Sequence, residues 1–484
     1  MFFAFRNFLR QNKWVVVGVL GAVLAFIGGG GLSVVSIPHL LTADAPYHLD
    51  YAWQIYQGRL PQFSMGPTMP ADVSMHTYHL TGHHPPLYYG IIAPFVGPFI
   101  AAGSWEMATI IGRVMTLGIG VLSLLALAWT GWIVGGRYRK MLAVAAPAIA
   151  ATFVPFVLVS SAIYSDGLLV LMSILAFALS ALLLYRGPRP WNIMCLAIVL
   201  LLGMATRVSF TSMLAVALVA VLSSCIIHGK GTLSKNLLKG GGYAAAMGLL
   251  VVVGIGWFYY FHNFEASGSL LTNRIDTVEH VRRFKSFPDV ITSKNLWYLV
   301  PFGLFGHSLQ RLEDFTLNQW LSYLVFLVGV SGSMVWFAKQ KLRGFFQKAN
   351  RETMLVGTMF IAYSGLVFTQ QIVYATGYGM YNPRYLLPAW VVAGVVIGMG
   401  MLIWQKKGLI AVAAMAAGWA AVIKWLVYIL VTEAHLSIER GWFHMLQSAA
   451  ADNGFPAATI PILLTTTAAG VLLVGMSLWR LSPE

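Results

Sequence analysis

Apolar runs long enough to cross a lipid bilayer recur along almost the whole chain. A transmembrane helix needs about 20 predominantly apolar residues. Runs of this kind lie at about 14–36, 108–134, 142–163, 165–185, 191–206, 208–227, 242–262, 319–337, 354–374, 386–404, 408–431 and 459–480. Only 10% of the 484 residues are charged, against about 25% in soluble domains. We therefore expect an all-α polytopic membrane protein with about 12 transmembrane helices.

The distribution of basic residues predicts the orientation of these helices. Lys and Arg collect in cytoplasmic loops of membrane proteins. If the N-terminus is inside, the basic clusters at 135–141, 186–190, 228–241, 338–353 and 405–407 are all cytoplasmic. This holds only if the short, proline-containing stretch 86–102 is a juxtamembrane or re-entrant piece. We therefore expect a bacterial inner (plasma) membrane protein with both termini cytoplasmic.

The net charge of +15 is accounted for by this orientation signal and does not indicate nucleic acid as a partner. The first apolar run is too long for the h-region of a cleaved signal peptide, so we expect a retained helix. The chain reads as a single transmembrane domain, 1–484, without internal repeats. Three long outer segments, 37–107, 263–318 and 432–458, are expected to form a cap of loops and juxtamembrane amphipathic helices.

Acidic residues lie almost entirely on the outer side of this topology. Of 16 Asp and Glu residues, only Glu352 and Glu484 fall in cytoplasmic segments. Acidic residues contribute little to topology, so this asymmetry is a second, separate signal. Chemistry that needs carboxylates is therefore expected at the periplasmic or extracellular face.

Asp44 opens the first outer loop directly after the first apolar run. An acid at the end of a transmembrane helix is costly unless it is solvated or paired, which makes Asp44 a functional candidate. It also suits the N-cap of a helix, since Pro46 fits a first turn. The two roles are compatible, because a general base must also be held in place.

Six of the twelve histidines lie in the first outer loop. The helical spacing of His76, His79 and His83 would place three imidazoles on one face, as in a zinc site. However, Gly82 and Pro85–Pro86 interrupt regular structure there, and no zincin motif is present. We favour hydrogen bonding to a substrate, or a plain polar loop, and expect no metal cofactor; a divalent metal stays the less favoured alternative.

Five short motifs, in this order along residues 14–400, resemble the GT-C superfamily of glycosyltransferases. They are Asp44-Ala-Pro-Tyr-His48, His84-Pro-Pro-Leu-Tyr-Tyr89, Tyr164-Ser-Asp-Gly167, Trp257–Glu265 with Gly268–Leu271, and Asn382-Pro-Arg-Tyr-Leu-Leu-Pro388. The chain looks most like the protein O-mannosyltransferase and lipid A aminoarabinose transferase branches.

The resemblance implies a donor sugar carried on a polyprenyl phosphate and transfer with inversion at the anomeric carbon. It places Asp44 as the general base and Asp166 as a second acid. The family commonly has two adjacent acids in the first loop, and Ala45 stands at the second position here, which favours a metal-independent mechanism. The substrate-binding candidates are His48, His83, His84, Tyr88, Arg207, His262, Asn263, Arg384 and Tyr385.

Departure of a phosphate also needs cations near the developing charge. Arg207 and Arg384 lie near outer helix ends, and the 263–318 segment holds six basic residues. The six acids of that segment are enough to balance its own basic residues. We therefore favour Arg384, which stands between Tyr381 and Tyr385, as the phosphate contact.

Most aromatic residues are expected in interfacial belts. Arg113 and Lys424 lie inside predicted helices near their outer ends. Snorkelling of their long side chains to the interface would explain both positions.

We thus expect an inverting glycosyltransferase that moves a hexosyl or pentosyl group to a glycan, lipid or protein acceptor at the periplasmic or outer membrane face, with membrane lipids around the protein. Two alternatives stay open. A transporter would place charges at mid-membrane, break its helices and repeat its halves, whereas the charges here lie at helix ends. A non-catalytic lipid-binding subunit of an envelope-polysaccharide machine would tolerate Ala45.

Overall fold

The computed structural model describes residues 10–39, 41, 44–69, 79–265, 283–297, 304–305, 316–342 and 348–482. The helices within them are α1 (Lys13–Ser36), α2 (Ala45–Tyr56), α3 (Leu87–Ala101), α4 (Trp105–Val134), α5 (Arg139–Ala150), α6 (Val154–Ser160), α7 (Asp166–Arg186), α8 (Pro190–Met204), α9 (Thr211–His228), α10 (Leu233–Trp257), α11 (Phe287–Thr292), α12 (Thr316–Leu342), α13 (Lys348–Ala375), α14 (Leu387–Trp404), α15 (Leu409–Thr432), α16 (Trp442–Asp452) and α17 (Thr459–Leu481). His76, Arg274, Arg282, Arg311 and the Gly268–Leu271 motif lie outside these residues, as does most of the 263–318 segment.

The described residues confirm an all-helical membrane fold. Ten of their helices are long and apolar enough to cross a bilayer. The bent pair α5–α6 adds an eleventh if it is one span, while α3 and α8 are shorter apolar helices. The predicted count of about 12 requires α8 to cross as well, and this part stays a prediction.

The core is built around α7 and α14, which are almost completely enclosed by other helices. The first helix, α1, packs along α17 through a run of glycines. A Cβ atom on Gly21 would lie 2.8 Å from the carbonyl oxygen of Gly470. Small residues let membrane helices approach backbone to backbone. The glycines therefore join the two ends of the chain.

The predicted continuous helix at 142–163 is wrong. The chain bends by 76° between α5 and α6. Pro155 has no N–H to donate to the carbonyl of Ala151, so the helical hydrogen bonds stop there. The hydroxyl of Thr152 donates to Ile149 O at 2.8 Å, and Val154 N donates to Leu304 O at 2.9 Å. The short helix α6 then leads the chain into Tyr164 and Asp166.

The expectation that Arg113 snorkels is also wrong. Its side chain is buried and donates to four backbone carbonyls in the last turn of α1 and just after it. Nη1 lies 3.2 Å from Val34 O and 2.7 Å from Ile37 O, and Nη2 lies 2.8 and 2.9 Å from the carbonyls of Pro38 and His39. Carbonyls at a helix C-terminus lack intrahelical partners, and a buried guanidinium satisfies several at once. Arg113 thus fixes the chain that leads to Asp44.

The helix predicted at 242–262 begins earlier in the chain than predicted, and its last residues are not α-helical. Helix α10 starts at Leu233 and gives way to a π-helical turn at Phe258–Phe264. Such turns inside helices are frequent at functional sites. This one carries His262 and Asn263 toward the first outer loop.

Candidate functional site

Four charged side chains from distant parts of the sequence meet at one end of the helix bundle, which we call the site end. Asp44 immediately precedes α2, and Asp166 is the first residue of α7. Arg207 precedes the 3-10 turn that leads into α9, and Arg384 lies in the 3-10 turn that leads into α14. All four were predicted site residues, and the fold brings them together.

The four groups form a continuous chain of ion pairs. Arg384 Nη2 donates to Asp44 Oδ2 at 3.1 Å, and Arg384 Nε lies 3.9 Å from Asp166 Oδ2. Arg207 Nη1 donates to the same Asp166 oxygen at 2.6 Å. Arg384 therefore bridges the two carboxylates, while Asp166 is shared by both arginines.

The two carboxylates differ in access. The Asp44 side chain is 23% exposed, whereas that of Asp166 is 4% exposed. Asp44 occupies the N-cap position of α2, but its side chain makes no capping hydrogen bond. One of its oxygens pairs with Arg384, and Asp44 is the more exposed of the two carboxylates.

Local sequence explains how Arg384 is held. Asn382 Oδ1 accepts from the backbone N–H of Arg384 at 2.9 Å, an Asx turn that Pro383 favours through its fixed φ. The guanidinium lies 4.7 Å from the ring centroid of Tyr164 and 5.5 Å from that of Tyr385. Its Nε makes no hydrogen bond among the described residues. This nitrogen is buried and lies nearest to Asp166, so it makes an ion-pair contact without a hydrogen bond.

The predicted histidines His48 and His84 form the wall behind the ion pairs. His84 Nε2 lies 3.5 Å from Arg207 Nη2, and its Nδ1 lies 3.2 Å from the hydroxyl of Tyr89. His48 Nδ1 lies 2.7 Å from the same hydroxyl. Both imidazoles are buried. Both rings therefore contact the hydroxyl of Tyr89, and His84 also contacts Arg207.

A pair of stacked tyrosine rings supports this wall. Tyr51 and Tyr89 stack with ring centroids 3.7 Å apart. Burial, and then the neighbouring Tyr89, raises the pKa of Tyr51 well above its ordinary value. Tyr51 is thus neutral, and its hydroxyl donates to His84 O at 2.8 Å. This hydrogen bond fixes the turn that carries His84.

Two predicted substrate ligands, His262 and Asn263, connect the outer segments to each other. His262 Nε2 donates to the carbonyls of Pro61 and Gly82, at 3.0 and 3.3 Å. Asn263 Nδ2 donates to His83 O at 3.3 Å. The π-helical turn after α10 is thereby joined to the first outer loop. A contact of either residue with substrate stays a prediction.

The remaining predicted ligands differ in exposure. Tyr88 is fully buried, and its hydroxyl pairs with Thr116 Oγ1 at 2.7 Å. His83 is half-buried with its ring 4.4 Å from that of His84. The hydroxyl of Tyr385 donates to that of Tyr374 at 3.2 Å. Tyr385 and His83 thus border the site, and Tyr88 belongs to its buried support.

Asp50 is a buried acid that the sequence did not single out. Its oxygens accept from Gln54 Nε2 at 2.7 Å, from the backbone N–H of Thr68 at 2.7 Å, and from that of Met69. His79 Nε2 also donates to it at 2.9 Å. The side chains of Asp50 and His79 are both fully buried. The pair anchors the first outer loop beneath the site.

The second outer segment docks beside Arg384. Lys285 and Gly377 exchange backbone hydrogen bonds of 2.8 Å, and Lys285 Nζ donates to the carbonyl of Gly379. The Lys285 ammonium also lies 4.9 Å from the ring centroid of Tyr381. A third cation is therefore fixed on the loop that leads to Arg384.

No group of three His, Cys, Asp or Glu side chains that could hold a metal gathers among the described residues. His79 is engaged by Asp50, and His76 lies outside the described residues. The expectation that the first outer loop holds no zinc therefore stays a prediction.

The chain is similar to several solved structures. The chain aligns with ArnT from Cupriavidus metallidurans in the apo state over 97% of its own length and 78% of that chain, at 15% identity with a TM-score of 0.49. The alignment with ArnT from the same organism bound to undecaprenyl phosphate covers 96% of this chain and 77% of that chain, at 14% identity with a TM-score of 0.42. The chain is also similar to the archaeal oligosaccharyltransferase AglB from Archaeoglobus fulgidus in complex with an inhibitory peptide and a dolichol-phosphate. That alignment covers 93% of this chain and 56% of that one at 12% identity, with a TM-score of 0.47.

Both proteins are GT-C glycosyltransferases, the superfamily that the sequence motifs resemble. No protein-family model matches the chain, and no curated protein matches it.

Proposed function

We propose that the chain is an inverting glycosyltransferase that moves a sugar from a polyprenyl-phosphate donor to an acceptor hydroxyl. One observation carries the proposal: a partly exposed carboxylate, Asp44, lies 3.1 Å from a guanidinium that also borders a second acid. A base and a cation at one opening are the groups that this reaction needs. The site end would face the periplasm or cell exterior, since the basic clusters collect at the opposite end.

Asp44 is the general base of this proposal. The acceptor oxygen attacks the anomeric carbon as its proton passes to Asp44. The bond from that carbon to the phosphate oxygen breaks, and its electron pair stays on the polyprenyl phosphate. One displacement forms one bond and breaks one, so the configuration at the anomeric carbon inverts. The proton then leaves Asp44 for water.

The donor phosphate must separate Asp44 from Arg384. In a single displacement the base and the leaving phosphate lie on opposite faces of the sugar. The two side chains now touch each other, so no sugar fits between them. A phosphate offers Arg384 a stronger, bidentate partner than one carboxylate oxygen. Donor binding would therefore release Asp44 at the moment when a base is needed.

Asp166 and Arg207 hold Arg384 in reach of the phosphate. Asp166 is the more enclosed acid and pairs with Arg207 at 2.6 Å. This pair does not depend on Arg384 and would remain when Arg384 turns to the phosphate. It also starts α7, where the helix dipole favours a negative charge. We assign Asp166 a positioning role toward both arginines.

We further propose that the reaction needs no divalent metal. Both carboxylates already have guanidinium groups within 2.6–3.9 Å. Those positive charges would repel a cation placed between the acids. The arginines then take the part that a metal plays at a departing phosphate.

Turnover by the purified full chain tests the proposal. The protein is mixed with polyprenyl-phosphate-linked hexose or pentose and an acceptor hydroxyl, and released polyprenyl phosphate is measured. We expect turnover that falls about 10²- to 10⁴-fold in Asp44→Asn, with unchanged thermal stability and with Glu433→Gln as the matched exposed control. Undiminished turnover in Asp44→Asn would exclude it as the base, and donor binding without turnover by the wild type would favour a non-catalytic lipid-binding subunit.

A transporter is the second candidate, because the bend between α5 and α6 is the kind of broken helix that transporters use. The residues of the bend are buried in the core, however, and Thr152 and Leu304 satisfy its backbone. Flux of the donor across sealed vesicles without chemical conversion would favour this candidate.

A further inference from the structure

A cavity between membrane helices lies at the opposite end of the bundle from the site. It has a volume of about 320 Å³ and lies between the last two turns of α9 and the first turns of α13. Its lining is Ser223, Ile226, Ile227, Arg351, Met354, Leu355 and Thr358. Because α9 has 18 residues, it spans roughly 27 Å. The cavity therefore belongs to neither the carboxylates nor the arginines of the site.

The cavity joins an apolar wall to a cation. Four of its seven lining side chains are Ile, Met or Leu, while the exposed Arg351 stands at its edge. The hydroxyl of Thr358 already donates to Met354 O at 3.0 Å. An apolar groove with a guanidinium at its rim suits a molecule that has a hydrocarbon chain and an anionic head.

Arg351 is not neutralised by its neighbouring acid. Glu352 turns inward, is buried, and lies 4.0 Å from His228 Nε2. His228 Nε2 itself donates to Leu184 O at 2.8 Å. The adjacent Thr353 accepts from the hydroxyl of Tyr185 at 3.3 Å. These contacts hold the start of α13 against α7 and α9. In this position Arg351 lines the cavity.

The surrounding chain ends are basic. Segments 186–190, 228–241 and 348–353 meet here and contain Arg186, Arg189, Lys230, Lys235, Lys239, Lys348 and Arg351 against Glu352 as their one acid. Basic pockets between transmembrane helices on the cytoplasmic side bind anionic lipid headgroups. The charge of this end therefore selects an anion.

We propose that this cavity binds an anionic glycerophospholipid, with its phosphate on Arg351 and the start of an acyl chain against Ile226, Ile227 and Leu355. The lipid would hold α9 and α13 together at the membrane boundary. A zwitterionic phospholipid gains less here, because the positive end of its headgroup meets a basic surface. The site is independent of the proposed glycosyl transfer.

Native mass spectrometry of the full-length protein in detergent tests this, with phosphatidylglycerol and phosphatidylcholine as probes. We expect phosphatidylglycerol to be retained in preference to phosphatidylcholine, and its retention to fall about fivefold in Arg351→Gln, as expected for one basic residue. Arg351→Lys should keep most of the retention. The matched control Lys230→Gln, a basic residue at the same end but outside the cavity, should keep nearly all of it.

A second variant separates the cavity from surface charge alone. Thr358→Trp fills the cavity without changing the charge, and we expect it to lose the lipid as Arg351→Gln does while the melting temperature without lipid stays the same. Equal retention in wild type and Arg351→Gln, equal loss in Lys230→Gln, or full retention in Thr358→Trp would each overturn the proposal. Displacement of phosphatidylglycerol by equimolar undecaprenyl phosphate, dependent on Arg351, would overturn the assignment to a glycerophospholipid.

Discussion

Asp44 and Asp50 belong to the same short stretch of chain, yet their surroundings are opposite. Asp44 precedes α2, is partly exposed, and pairs with Arg384. Asp50 lies inside α2, is fully buried, and accepts from three side chains and two backbone amides. A carboxylate whose lone pairs are all engaged supports structure, whereas one with an opening and a replaceable partner can take a proton.

Replacing Arg384, the partner of Asp44, is expected to reduce the transfer activity more than replacing Asp50 does. We expect Arg384→Gln to lower kcat/KM for the lipid-linked donor about 10²- to 10³-fold, because it removes a cation from the departing phosphate. Arg384→Lys should recover part of the loss, since the charge stays but the planar fork is gone. The exposed Arg440→Gln serves as the control. Unchanged kcat/KM in Arg384→Gln would mean that the phosphate is held elsewhere.

Replacing Asp50 should affect folding more than chemistry. In Asp50→Asn the new amide turns two hydrogens toward the donors Gln54 Nε2 and His79 Nε2, so we expect a loss of about 3 kcal/mol in stability. Thermal unfolding in detergent measures it, with the exposed capping residue Asp289→Asn as control. Turnover per folded molecule should stay near the wild type. A stable Asp50→Asn that lacks turnover would reverse the roles assigned to the two acids.

The smallest effect is expected from metal removal. Because arginines accompany both Asp44 and Asp166, treatment with a chelator should leave the transfer rate within about twofold of its starting value. Transfer rates before and after dialysis against EDTA give the comparison. A loss that added Mg²⁺, Mn²⁺ or Zn²⁺ restores would show that a metal acts with Asp44.

Much of the fold could be predicted because lipid leaves few choices. Long apolar runs must become helices, and basic clusters orient them. The bend after α5 was missed because hydropathy does not register that Pro155 removes one hydrogen bond. Arg113 was misjudged because its partners, the carbonyls after α1, lie far away in the sequence.

The candidate site could be predicted in part for the same reason. Asp44, Asp166, Arg207 and Arg384 each stand at a helix end on the same side, so topology alone brings them near one another. Their pairing order, and the anchoring of Asp50 by His79, depend on loop packing that no local pattern shows. The hydrogen bonds of His262 and Asn263 to Pro61 and His83 could not be predicted either, because these partners are equally distant in the sequence.

Chemical rescue of Asp44→Asn tests the central claim most directly. Azide is an anion at neutral pH, so it can attack the anomeric carbon without giving up a proton to a base. If Asp44 is the base, azide should restore consumption of the polyprenyl-phosphate sugar by Asp44→Asn and yield a glycosyl azide of inverted configuration, while Arg384→Gln stays slow. A folded, donor-binding Asp44→Asn that azide does not rescue, or a product of retained configuration, would contradict the account.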